Sequence, residues 1–162
     1  MAGSEQAQQL AERFNQLNGQ VIALVEPLSE EQWSMACGDD KRPIGVVAHH
    51  VGTAYGNIAA WVRTMADGQP LPPVTPAIID EWNAQHAEAN ADVSKAETLD
   101  LLKSNGDKAV AAVAGLSDEE LAQSGAVTLL GGATVTAAQL IEYVLFGHTG
   151  GHLTGMRAAL GR

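Results

Sequence analysis

A single cysteine, Cys37, occurs among the 162 residues, so no intrachain disulfide can form and no thiolate cluster can hold a metal. That usage fits a reducing cytoplasm. Aromatic residues are only 4% of the chain, which leaves alanine, valine and leucine to fill the interior. Basic residues are few, nine against nineteen acidic ones, and they are scattered. A formal charge of −10 argues against a nucleic-acid backbone or an anionic membrane surface as partner. No apolar run approaches the ~20 residues that span a bilayer. The opening stretch MAGSEQAQQLAERF has neither the basic start nor the apolar segment of a signal peptide. These absences lead to the expectation of a soluble cytoplasmic protein.

What is present points to a globular chain. Hydrophobic residues reach 46%, and the length suits one domain over 1–162 with a sizeable core. Leu10, Phe14, Leu17, Val21, Leu24 and Val25 recur at three- and four-residue spacing, the pattern of an amphipathic helix over 5–27. The segment Cys37–Lys41 reads as a loop, and Pro43 suits the first turn of a second helix running to about Asp67. DGQPLPP breaks that helix. A third helical region starts near Thr75-Pro76, pauses around Asp92–Ser94 and restarts on a Ser94/Glu97 capping box.

VTLLGGATV (127–135) predicts a short β-hairpin or extended loop before a last helix over 136–160. The expected fold is therefore all-α, an up-and-down four-helix bundle with one small β excursion. LSEEQW (28–33) and LSDEEL (116–121) echo one another ahead of histidine-bearing helices. The favoured reading is one helix-start signal used twice; two equivalent halves are the other.

The chemistry concentrates in FGHTGGHLTG (146–155). Glycine costs a helix interior about 0.8–1 kcal/mol relative to alanine, and imidazole fills a core poorly without partners. On a uniform helical wheel Ala137, Leu140, Ile141, Val144, Gly151, Gly155 and Ala159 form the inward stripe. His148 and His152 fall within roughly 40° of its centre. Histidines at i and i+4 on a buried face can converge on one metal ion. Each ring could equally bond a backbone carbonyl, so the spacing alone admits both readings.

On the second helix His50 lies roughly 90° from the apolar centre, at the edge of the core. His49 points about 170° away, into solvent. Asn57 and Trp61 share the edge stripe with His50 and could line a pocket there or merely shield the bundle. Three neutral imidazoles at His50, His148 and His152 would suit Zn²⁺, Ni²⁺ or Fe²⁺ with a position left open. Gly150 and Gly151 would then let a ligand or a neighbouring helix approach.

At these residues the chain resembles the DinB-like (YfiT-like) superfamily. The resemblance is carried by LSEEQW, RPIGVVAHHV (42–51), EWNAQHAEANADVS (81–94), the threonine-bearing hairpin and GHTGGH (147–152). It implies a metal held by His50, His148 and His152, a bundle with a long crossover, and a homodimer. It also implies chemistry with low-molecular-weight thiols such as mycothiol or bacillithiol, whose pKa a divalent metal lowers. Arg42 stands where such proteins usually carry tryptophan, which implies looser packing at that corner.

His86 reads as an exposed helix residue, with a supporting or ligand role as the alternative. Cys37 has no visible activating base. The expected activity is that of a divalent-metal-dependent enzyme acting on a small molecule, a thiol-dependent S-transferase or isomerase, or a hydrolase. No catalytic residue can be named, and the lack of an assignable carboxylate base favours the thiol chemistry. The alternative is a non-catalytic metal-binding or stress-response helical module.

Overall fold

The structure, a computed structural model, describes residues 3–162. Helix α1 (Glu5–Val25) begins where the Ser4 hydroxyl accepts from the Ala7 N–H, and it buries Ala7, Leu10, Phe14, Val21 and Val25. A short α2 (Glu30–Trp33) opens on a Ser29/Gln32 capping box. Next come two strands of two residues each, β1 (Ala36–Cys37) and β2 (Arg42–Pro43), paired antiparallel. The expected loop at 37–41 is thus the turn of a small hairpin. Its tightness is met by Gly38 at φ +73° and by Lys41 at φ +56°. Pro43 caps α3 (Ile44–Ala66) instead of lying in its first turn.

Thr75 caps α4 (Pro76–Ala89), and after the pause the Ser94/Glu97 capping box starts α5 (Lys95–Ala114). Ser117/Glu120 makes another box at α6 (Asp118–Ala122). Both echoing segments are therefore helix starts. The hairpin lies at β3 (Ser124–Val127) and β4 (Ala133–Thr136), closed through Gly131 and Gly132 in the left-handed region.

The last helix is not uniform. It runs as α7 (Ala137–Leu140), a π-helical segment Ile141–Phe146, and α8 (Gly147–Ala159). The π segment adds a residue per turn and advances everything after it on the wheel. Thr149, Leu153 and Met156 are consequently the buried residues of α8. Gly151 is exposed, and Gly155 and Ala159 are half-buried, so the inward stripe expected beyond residue 146 is corrected by about one position.

The four long helices form the bundle. Helix α5 lies against both α1 and α3, and the α7–α8 helix also contacts both. Chain neighbours thus sit mostly across the bundle from one another. Its centre contains one polar knot: Asn18 donates to the Leu102 carbonyl at 3.0 Å and accepts from the Tyr55 hydroxyl at 2.9 Å. Gly106 makes room, since a Cβ there would come within 2.2 Å of Asn18 Nδ2. No helix among the described residues is long and apolar enough to cross a membrane.

Candidate metal centre

The start of α3 is set by a close approach. A Cβ on Gly45 would lie 2.2 Å from Trp33 Cε2, so the indole rests directly on the first turn, and its Nε1 donates to the Val93 carbonyl. Five residues on, His50 projects toward α8. The π segment matters here because it moves His148 and His152 off the centre of the core face to its half-buried margin. Side chains there can meet a cavity.

His50, His148 and His152 each offer one ring nitrogen, and these atoms lie within 4.8 Å of one another. His50 Nε2 and His148 Nε2 are 2.8 Å apart. The three rings pack edge to face, with centroids 4.5 to 5.1 Å apart. Burial, reinforced by neighbouring cations, lowers His50 to about 2, His148 to about 3 and His152 to about 4. All three are neutral at pH 7 and keep a lone pair. His148 Nδ1 is buried with no hydrogen-bond partner. A nitrogen-only, neutral, converging donor set fits a borderline cation such as Zn²⁺, Ni²⁺ or Fe²⁺.

Two other histidines are placed differently from expectation. His49 is half-buried instead of facing solvent, because α4 crosses that side of α3; its Nδ1 lies 2.8 Å from His86 Nε2. A wheel drawn for one helix carries no information about a crossing helix. His86 is likewise half-buried, with its ring 5.5 Å from that of His50. Burial first, then His49 and Arg42, lowers its pKa to about 4, and its Nδ1 has no partner. No spacing signal distinguished His86; the stretch EWNAQHAEAN only marked its neighbourhood.

Two cavities flank the triad. One, of about 240 Å³, meets His50, His86 and His148 and is walled by apolar groups that include Trp61, Trp82 and Val144. Asn57 also borders it. No charged side chain lines it. The other, of about 280 Å³, meets His152 and is bordered by Cys37, Asp40, Arg42, Gly151 and Gly155.

A Cβ on Gly150, Gly151 or Gly155 would touch nothing within 4 Å, so none of them serves close helix packing. Gly151 and Gly155 instead leave this second cavity open. Cys37 is buried and burial pushes its thiol pKa up, which leaves it a poor nucleophile. Arg42 does not loosen its corner: its side chain is only 11% exposed, with Nε 2.5 Å from Asp40 Oδ2.

The chain belongs to the DinB superfamily, whose family model matches residues 13–155. The fold is similar to that of YfiT from Bacillus subtilis, with a TM-score of 0.73 at 16% identity over 99% of this chain and 91% of that one. YfiT is described as a probable metal-dependent hydrolase with an unusual four-helix bundle topology. A DinB-like protein of Bacillus subtilis, yjoA, is similar at a TM-score of 0.59 and 17% identity, over 95% of this chain and 93% of that one. No curated protein matches the sequence.

Proposed function

We propose that this protein is a metal-dependent enzyme in which His50, His148 and His152 hold one divalent cation. The observation that carries the reading is the convergence of three neutral ring nitrogens from two helices within 4.8 Å. The description of YfiT as a probable metal-dependent hydrolase supports it. A cation held there would supply a Lewis acid that lowers the pKa of a coordinating water or thiol.

The remaining roles fall to the chain itself. Trp61 and Trp82 would hold the apolar body of a small-molecule substrate and exclude water from one side of the triad. His86, with Nε2 paired with His49, would line the same cavity and orient a substrate there. The description of YfiT as a probable metal-dependent hydrolase makes hydrolysis the first reading of the reaction.

Thiol transfer is the second reading. Its support is the pair of separate cavities on either side of the histidines, one without a charged residue and one bordered by Asp39, Asp40 and Arg42. That arrangement suits two reactants, a thiol and an electrophile.

Metal analysis of protein purified without a histidine tag, wild type beside His148→Ala, tests the core of this proposal. About one equivalent of transition metal is expected in the wild type and little in the variant, with the helical circular dichroism retained. No metal after reconstitution with zinc and nickel would overturn it and leave the helical binding module. Loaded protein is then assayed for hydrolysis of an aryl ester and for conjugation of a thiol to an aryl halide; turnover of one and not the other selects the reaction. Light scattering on the same samples tests the proposed homodimer.

A further inference from the structure

The apolar cavity has two ends of different chemistry. On α4, Ile79, Trp82, Asn83 and His86 recur at i, i+3, i+4 and i+7, so one face of that helix is turned to the cavity. His86 stands at the triad end, with its ring 5.5 Å from that of His50. On α3 the wall runs from His50 to Trp61, about 16 Å along an axis that rises about 1.5 Å per residue. The imidazoles of His50, His86 and His148 thus close one end, leaving the indoles of Trp61 and Trp82 to wall the remainder.

No aspartate, glutamate, lysine or arginine lines this space. An ionised group placed against the indoles would lose its hydration without gaining a counter-charge. Trp82 is 44% exposed at the border, so an apolar occupant would remove indole surface from water. A dry cavity of about 150 Å³ holds benzene. The 240 Å³ here has room for one ring with a short substituent.

We propose that this cavity takes an uncharged aryl compound, its ring against Trp61 and Trp82 and one uncharged polar substituent toward the imidazoles. Asn83 offers that substituent a neutral donor and acceptor. The substrate class is then a neutral aryl ester or amide, not an amino acid, an organic acid or a nucleotide. Its hydrolysis breaks the acyl C–O or C–N bond, with the hydroxyl of water going to the acyl carbon and a proton to the leaving oxygen or nitrogen. This step rests on the triad as the reacting centre, but the binding itself requires no metal.

Metal-free protein at pH 7.5 is titrated with 4-methylbenzamide while the indole N–H resonances of the three tryptophans are followed by NMR. The Trp61 and Trp82 resonances should shift saturably. That of Trp33, whose Nε1 donates to the Val93 carbonyl away from the cavity, should stay fixed. Two further probes, 4-carboxybenzamide and 4-(aminomethyl)benzamide, put a negative or a positive charge on the same ring. Each should bind at least about tenfold more weakly. Trp82→Ala should weaken 4-methylbenzamide by about tenfold.

Equal affinity for the carboxylate probe would overturn the proposal, as would tighter binding of the ammonium probe, which would make the indoles a cation site. Shifts spread equally over all three indoles, or full affinity in Trp82→Ala, would also refute it. The wild-type titration decides the charge preference alone should that variant fail to fold. Zinc uptake is measured separately on the same protein. Uptake without the indole shifts refutes the cavity assignment and spares the metal site; the shifts without uptake do the reverse.

Discussion

Acid should unfold the metal-free protein at a pH where most of its carboxylates are still ionised. Four imidazoles are held neutral by burial: His50 near 2, His148 near 3, and His86 and His152 near 4, all from an ordinary value of 6.5. In the unfolded chain each takes up a proton near 6.5, whereas the folded protein resists protonation until far lower pH. The unfolded state therefore binds more protons below 6.5. Stability is fully present above that pH and falls as the pH drops through the window toward 4.

One pH unit below 6.5 costs about 1.4 kcal/mol per well-buried histidine, and the four together, with the more exposed His86 discounted for solvent screening, cost about 4–5 kcal/mol at pH 5.5. Against a total of about 5–15 kcal/mol, that is a large share. Partial neutralisation of an acidic surface acts in the opposite direction by relieving repulsion. The histidine contribution is therefore isolated with His148→Gln, which should reduce the loss by about a quarter. Urea unfolding at pH 7.5 and 5.5, followed by circular dichroism, measures it. Identical midpoints at the two pH values, or imidazole resonances titrating near 6.5, would refute the reasoning.

Gly45→Ala places a methyl group against Trp33 and must displace either the indole or the start of α3. Overpacking of this kind costs about 1–3 kcal/mol, and weaker zinc binding should accompany it because α3 carries His50. A urea midpoint unchanged from wild type would show that Trp33 moves away freely. Tyr55→Phe leaves the buried Asn18 Oδ1 without its donor and should destabilise the bundle by about 1–3 kcal/mol in urea unfolding. A neutral substitution there would mean that Asn18 finds another donor.

What could be read from the residues were the features made by local chemistry. Ser94 with Glu97 announces the start of α5, and Gly131-Gly132 announces the hairpin turn, because caps and turns depend on residues a few positions apart. The meeting of His50 with His148 and His152 was also within reach, since helical spacing puts His50 at the edge of one core face and the other two near the centre of another. The β1–β2 pair left no signal: two-residue strands show no alternation. The π segment left none either, as its hydrogen-bond shift has no compositional mark, and the stripe of the last helix was misplaced beyond it. His49, His86 and Arg42 were misjudged for one shared reason. Each is enclosed by contacts from outside its own element, His49 and His86 by the crossing of α3 and α4 and Arg42 by Asp40 in the turn before it, and periodicity cannot report such contacts.

Helix α4 has no fully buried residue, yet it supplies Trp82 and His86 to the apolar cavity. Its anchorage to the bundle is therefore slight, and a group filling the cavity would add contact area of the kind that α4 otherwise lacks. By linkage, whatever free energy a bound molecule gains from α4, the helix gains from the molecule. Occupancy and order of this wall are thus coupled: a ligand in the cavity helps fold α4 to the same extent that α4 helps retain the ligand.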